Sequence, residues 1–126
     1  MDGDHVFAAG VETTAHGAVV VVVAGSIDIA SAAQFKELLL ETVEQRAPRV
    51  VIDLTQVASI DSTGLGVLVS AAKKAAPGSL ALVCADEAIL NVFGLVGFNR
   101  IFAIYGSRRA ALGPTPVEIL EETDDA

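Results

Sequence analysis

ASIDSTGLGVLVSAAKK, residues 58–74, sits where one structural period gives way to another. Just upstream, RVVIDL (residues 49–54) is a β-branched apolar run of the kind a strand covered on both faces requires. Downstream, Leu65, Leu68, Val69 and Ala72 fall at i, i+3, i+4 and i+7, one face of a helix that Pro77-Gly78 ends. A strand feeding into an amphipathic helix is the repeating unit of a parallel α/β sheet.

The same alternation extends in both directions. AVVVVVA (residues 18–24) is a second strand, and residues 6–14 form a weaker one, with His16-Gly17 as the turn of a hairpin. Ser31 opens a helix with a capping-box partner at Gln34, and Phe35, Leu38, Leu39, Thr42 and Val43 continue it until Pro48. SLALVC (residues 79–84) is a third core strand. Asp86 caps a helix carrying Ile89, Leu90 and Phe93, which Gly94 or Gly97 closes. A short strand at residues 101–104 and a helical turn at residues 107–112 complete the order β-β-α-β-α-β-α-β-α. The expectation is a single α/β domain over residues 6–112. Its mixed, mostly parallel sheet begins with an antiparallel hairpin and is packed with amphipathic helices.

At 126 residues and 52% hydrophobic content the chain supports one sizeable core. Eight Lys/Arg against sixteen Asp/Glu give a net charge of −8, which argues against a nucleic-acid partner. Residues 1–5 read as a fringe. Residues 113–126, with Glu118, Glu121, Glu122, Asp124 and Asp125, read as a solvated acidic tail. A single cysteine, Cys84, excludes an intramolecular disulfide and reads as a small buried hydrophobe. With no signal-peptide pattern and no apolar run near 18 residues, the expected setting is cytoplasmic, without membrane insertion.

Ser62 is the residue whose role matters most. A nucleophile elbow needs Gly-x-Ser-x-Gly, but Ile60 stands at the first glycine position. The only histidines, His5 and His16, lie in the fringe and in the hairpin turn, which leaves Ser62 without a base. No Walker A string exists, and Gly64-Leu65-Gly66-Val67-Leu68-Val69 lacks the third glycine of a dinucleotide fingerprint, so no cofactor is expected. One cysteine and two distant histidines do not make a zinc site, and no metal is expected. Asp28, Asp53 and Asp61 could gather only if the fold brought them together. Local chemistry favours a helix N-cap, since Ser, Thr and Asp all serve there. That leaves Gly64 and Gly66 unexplained, because glycine in a helix costs up to about 1 kcal/mol relative to alanine. Close approach of another surface, or of an anion, is the natural reason.

The region RVVIDLTQVASIDSTGLGVLVSAAKKA resembles the signature of STAS domains, specifically of bacterial anti-sigma factor antagonists. Their pattern is a strand ending in hydrophobic-Asp-Leu, a spacer, then Asp-Ser-Ser/Thr-Gly-Leu-Gly; here Ile52-Asp53-Leu54 precedes Asp61-Ser62-Thr63-Gly64-Leu65-Gly66. VAGSIDIASAAQFKELL is similar to the family's Gly-x-hydrophobic-Asp segment and first helix, with Asp28 at the acidic position, and the likeness covers roughly residues 6–112. The resemblance implies a non-catalytic protein that binds an anti-sigma factor serine kinase and so frees a sigma factor. Phosphorylation of Ser62, or of Thr63 as second choice, would end that binding, and a serine phosphatase would restore it. It also implies a partner surface of Asp28, Asp61, Ser62, Thr63, Gly64, Leu65 and Gly66. The alternative within the family is a scaffold piece of a signalling complex or an accessory subunit of a transporter. Retention of Asp-Ser-Thr favours the switch. Oligomeric state is not fixed by any of these features.

Overall fold

The computed structural model describes residues 6–113; the N-terminal fringe with His5 and, beyond Gly113, the acidic tail lie outside the described residues. Strand β1 (Ala8–Thr13) and β2 (Val19–Ile27) form the hairpin, followed by α1 (Ala32–Glu44), β3 (Val50–Ile60), α2 (Ser62–Lys74) and β4 (Leu80–Val83). Helix α3 (Glu87–Leu95), a 3-10 turn (Phe98–Arg100), β5 (Ala103–Tyr105) and α4 (Arg108–Leu112) complete the described chain. The five strands make one sheet in the order β1-β2-β3-β4-β5, with β1 antiparallel to β2 and the remaining pairs parallel.

Because the parallel strands are added in one direction, right-handed crossovers place their helices on a single face. The main core follows that rule. Phe35, Leu39 and Val43 of α1, Val67, Leu68 and Ala71 of α2, and Ile89 and Phe93 of α3 join the inward residues of the strands in one buried cluster. Among the described residues, the opposite face carries a smaller cluster at one end, where Ala111 of α4 packs on Val20, Val51 and Val83. Two arginines hold α4 down. Arg49 donates through Nε to the Ala111 carbonyl at 2.8 Å and through its guanidinium to the Tyr105 hydroxyl at 3.2 Å. Arg108 pairs with Asp53 and Glu12.

Three local expectations are corrected. The capping box at Ser31 does not form: Ser31 takes a helical conformation and makes no side-chain cap, because its hydroxyl donates to the Ser26 carbonyl at 3.0 Å. Helix α1 stops at Glu44 rather than running on to Pro48; Arg46 takes the left-handed conformation, φ 59, that usually falls to glycine after a helix. Strand β3 continues six residues past Leu54 to Ile60, and β2 reaches Ile27. These ends pair with each other beyond the last β3–β4 pair, Asp53 with Val83, through two register shifts. The result is a two-stranded extension of the sheet. Of the two glycines offered as the end of α3, Gly94 lies inside the helix and Gly97, at φ +77, follows its C-cap.

Candidate functional site

The register Ile27↔Ile60 sets Asp28 and Asp61 side by side at the tip of the β2–β3 extension, each at a strand-to-helix junction. A hydrogen bond from the Asp61 amide to the Ile27 carbonyl, 3.1 Å, ties the two junctions together.

Asp61, not Ser62, caps α2. Its backbone is extended, and its Oδ1 accepts from the amides of Thr63 at 2.9 Å and Gly64 at 3.1 Å. Ser62 is the first residue of the helix itself. It is exposed, and none of the side-chain hydrogen bonds among the described residues uses its hydroxyl. The capping role proposed for the serine is therefore filled by its neighbour. Thr63 is also exposed and contributes its amide to the cap.

The two glycines separate sharply. Gly64 is buried, and a Cβ there would lie 2.7 Å from Cγ2 of Ile27, 2.7 Å from Cγ1 of Ile60 and 3.1 Å from the Ile27 carbonyl oxygen. The close approach expected at this position is made by the protein's own strands, with the first turn of α2 seated on the ends of β2 and β3. Gly66 has nothing within 4 Å of a built Cβ and is exposed. Leu65 is half-buried against the main core. Of the glycine pair, only Gly66 presents bare backbone outward.

Asp28 organises the neighbouring junction. Its Oδ1 accepts from the amides of Ala30 at 3.0 Å and Ser31 at 3.2 Å, while its own amide donates to the Ser31 hydroxyl at 3.0 Å. This closed loop lifts Ile29 into solvent, 81% exposed, beside the two aspartates. Beneath it, the hydroxyls of Ser26 and Ser59 meet at 3.0 Å across the paired strands. The sequence reading did not single out Ile29, Ser26 or Ser59. Strand alternation past Leu54 would have pointed to the last two, but an apolar residue in a polar loop leaves no periodic signal.

Asp53 does not join Asp28 and Asp61. Eight residues of strand, roughly 25 Å at 3.3 Å per residue, separate it from Asp61, and it faces α4. Its Oδ2 accepts from Arg108 Nε at 2.5 Å, and its Oδ1 accepts from the Thr55 amide at 3.0 Å and hydroxyl at 2.8 Å. Burial alone would raise this carboxyl, but the Arg108 guanidinium and the Thr55 donors outweigh it and hold the group below its ordinary value. Asp53 in turn raises the Arg108 guanidinium. Among the described residues no group of His, Cys, Asp and Glu is arranged to hold a metal ion. His16 is exposed in the hairpin turn, at the far end of β2 from Ser62. Cys84 is buried, which pushes its thiol up.

The family model for the STAS domain matches residues 11–111. Over 84 residues the chain is 39% identical to the anti-sigma-B factor antagonist of Bacillus subtilis, covering 65% of this chain and 76% of that protein. It is 36% identical over 84 residues to the anti-sigma-B factor antagonist of Listeria monocytogenes, covering 65% and 74%. Its fold is similar to the crystal structure of an anti-sigma factor antagonist from Mycobacterium paratuberculosis, with a TM-score of 0.82 and 26% identity over 89% of this chain and 96% of that one.

Proposed function

The chain belongs to the STAS domain family, and we propose that it is an anti-sigma factor antagonist whose hold on an anti-sigma factor serine kinase is released by phosphorylation of Ser62. The observation that carries this reading is the unused, exposed Ser62 hydroxyl on a helix start that its neighbours hold rigid. Relatives named as anti-sigma factor antagonists support the partner class.

In the proposed reaction the kinase partner transfers the terminal phosphoryl group of ATP to Ser62 Oγ, the hydroxyl proton passes to a base of the kinase, and ADP leaves. A phosphatase returns the serine by hydrolysis, releasing inorganic phosphate. The Thr63 and Gly64 amides are already taken by Asp61. The phosphate therefore adds about −1.5 to −2 charges outward, beside Asp61 and Asp28, rather than folding into the helix start. Like charges brought together across an interface cost several kcal/mol, and ~3 kcal/mol is more than a hundredfold in affinity. The switch is a change of surface charge on a preformed site, with Ile29 as its apolar neighbour.

Affinity capture from the source cell's lysate, with wild type and Ser62→Asp as baits, tests this reading. Wild type should retain a small ATP-binding kinase that the variant loses. Equal retention by both baits would leave the scaffold role as the better description. Phosphopeptide mapping of wild type and Ser62→Ala then decides between Ser62 and Thr63 as acceptor.

A further inference from the structure

Ile29 stands 81% exposed at the strand ends where Ser62 also lies. The hydrogen bond from the Asp61 amide to the Ile27 carbonyl joins the two junctions; Ser62 follows Asp61 directly, and Ile29 is two residues past Ile27. A single exposed apolar residue is ordinary on a protein surface, but this one is held out by a fixed loop. The Asp28 carboxylate accepts from Ala30 and Ser31, the Ser31 and Ala32 amides donate to the Asp28 carbonyl at 3.1 and 2.8 Å, and the Ser31 hydroxyl is fastened to the Ser26 carbonyl. With the loop already ordered and the β-branched side chain limited at χ1, burying Ile29 against another surface costs little further entropy. Val6, also exposed, adds to the same end, its carbonyl packed so closely on Gly25 that no Cβ would fit between them.

We propose that Ile29 is the apolar anchor of the partner surface, seated in an apolar recess of the anti-sigma factor kinase beside the groups that receive Ser62; this rests on the reading of Ser62 as the switch. Asp28, Asp61 and Thr63 form the polar rim, the arrangement in which a dry centre carries most of an interface's affinity. Seating Ile29 drives water from the neighbourhood of Ser62. A phosphate on Ser62 would bring about −1.5 to −2 charges and a hydration shell into that space, and the recess could close over Ile29 only by stripping the shell away. Ile29 thereby gives phosphorylation a second lever, dehydration, beside the repulsion of like charges. The two levers answer differently to salt: repulsion between exposed charges is screened, whereas the cost of dehydration is not.

The test takes the kinase that wild type retains in the capture experiment, purifies it, and titrates it with wild type, Ile29→Ser, Ser62→Asp and the double variant at low and high salt. Ile29→Ser should weaken binding roughly ten- to a hundredfold at both salt concentrations, with the melting temperature of wild type. Ile29→Leu, apolar and of equal volume, should bind nearly as wild type does. Leu95→Ser removes an equally exposed apolar side chain from the C-terminal end of α3, away from the strand ends that carry Ser62, and should leave affinity unchanged. Ser62→Asp should keep most of its penalty in high salt on the wild-type background and lose most of it on the Ile29→Ser background. Wild-type affinity in Ile29→Ser, or a Ser62→Asp penalty that is additive with Ile29→Ser or abolished by salt, would overturn the anchor and leave the switch at Ser62 standing. A capture that returns no kinase would remove both.

Discussion

One substitution, made at two positions a helical half-turn apart, should have opposite effects. Gly64→Ala adds a Cβ 2.7 Å from Cγ2 of Ile27 and Cγ1 of Ile60 and 3.1 Å from the Ile27 carbonyl. Ile60 is half-buried and can turn aside, but Ile27 is fully buried and its Cγ2 is fixed one bond from the backbone-bearing Cβ. Helix α2 must therefore lift from the sheet or the strand ends must part. Overpacking of this kind costs about 1–3 kcal/mol, and alanine returns at most about 1 kcal/mol of helix propensity. The net expectation is a loss of ~1–2 kcal/mol, which in a domain of this size lowers the melting temperature by roughly 4–15 °C. Gly66→Ala meets open space, so propensity alone acts and should add up to about 1 kcal/mol. Urea unfolding of the two variants beside wild type measures both shifts. A Gly64→Ala variant as stable as wild type would refute the seating of α2 on Ile27. If Gly66→Ala gains stability yet binds the proposed anti-sigma factor partner less tightly, the bare backbone at that position serves the proposed interface.

Asp61→Ala should cost about 1 kcal/mol through loss of the cap, while Ser62→Ala stays within ~0.5 kcal/mol of wild type; thermal melts that show the reverse would return the cap to the serine. Arg108→Met strands the buried Asp53 carboxylate with only Thr55, and because Arg108 is 37% exposed the expected loss is a discounted ~1–3 kcal/mol. The sign with pH follows from the lowered carboxyl of Asp53. Its contribution is present above the ordinary value of 3.8 and fades as pH falls through the lower folded value, so wild type and variant should converge in acid, as urea midpoints would show. Cys84, buried with its thiol raised, should react with a thiol reagent only as fast as the domain unfolds; rapid labelling of the native protein would contradict its placement.

Much of this architecture is legible in local signals. Apolar runs and helical periods pointed to every described strand and α-helix, though not to the 3-10 turn at Phe98–Arg100, and the last strand begins at Ala103 rather than Ile101. What stayed hidden depends on residues far apart in the chain. Asp53 reads as part of a motif, but its role in fastening α4 rests on Arg108, which is 55 residues away and opens that five-residue helix. At Ser31 two local solutions competed: the capping box, and a hydroxyl bond back to Ser26 that the position of β2 made the better one. The long end of β3 was missed because TQVASI buries only Val57 fully, so half its period is blank. Ile29 was invisible for a related reason: a loop is shaped by its hydrogen bonds, and Asp28 and Ser31 decide where the side chain between them points.

The proposed switch would draw on a division of labour among adjacent residues. Asp61 satisfies the orphan amides of α2, Gly64 seats the helix on the sheet, Leu65 anchors it in the core, and Asp28 closes the neighbouring loop. Each structural demand at the junction is met by a residue other than Ser62, so a phosphate on Ser62 removes no bond that the fold uses. Had the serine been the cap, phosphorylation would have put the helix start at risk and coupled signalling to stability. Here the two are separable, and phosphorylation should shift backbone NMR resonances only around residues 58–67 and the facing Asp28 loop. Shifts spread through α1 and α3 would mean that the junction is less rigid than its hydrogen bonds imply, and that the switch works by refolding instead of by charge.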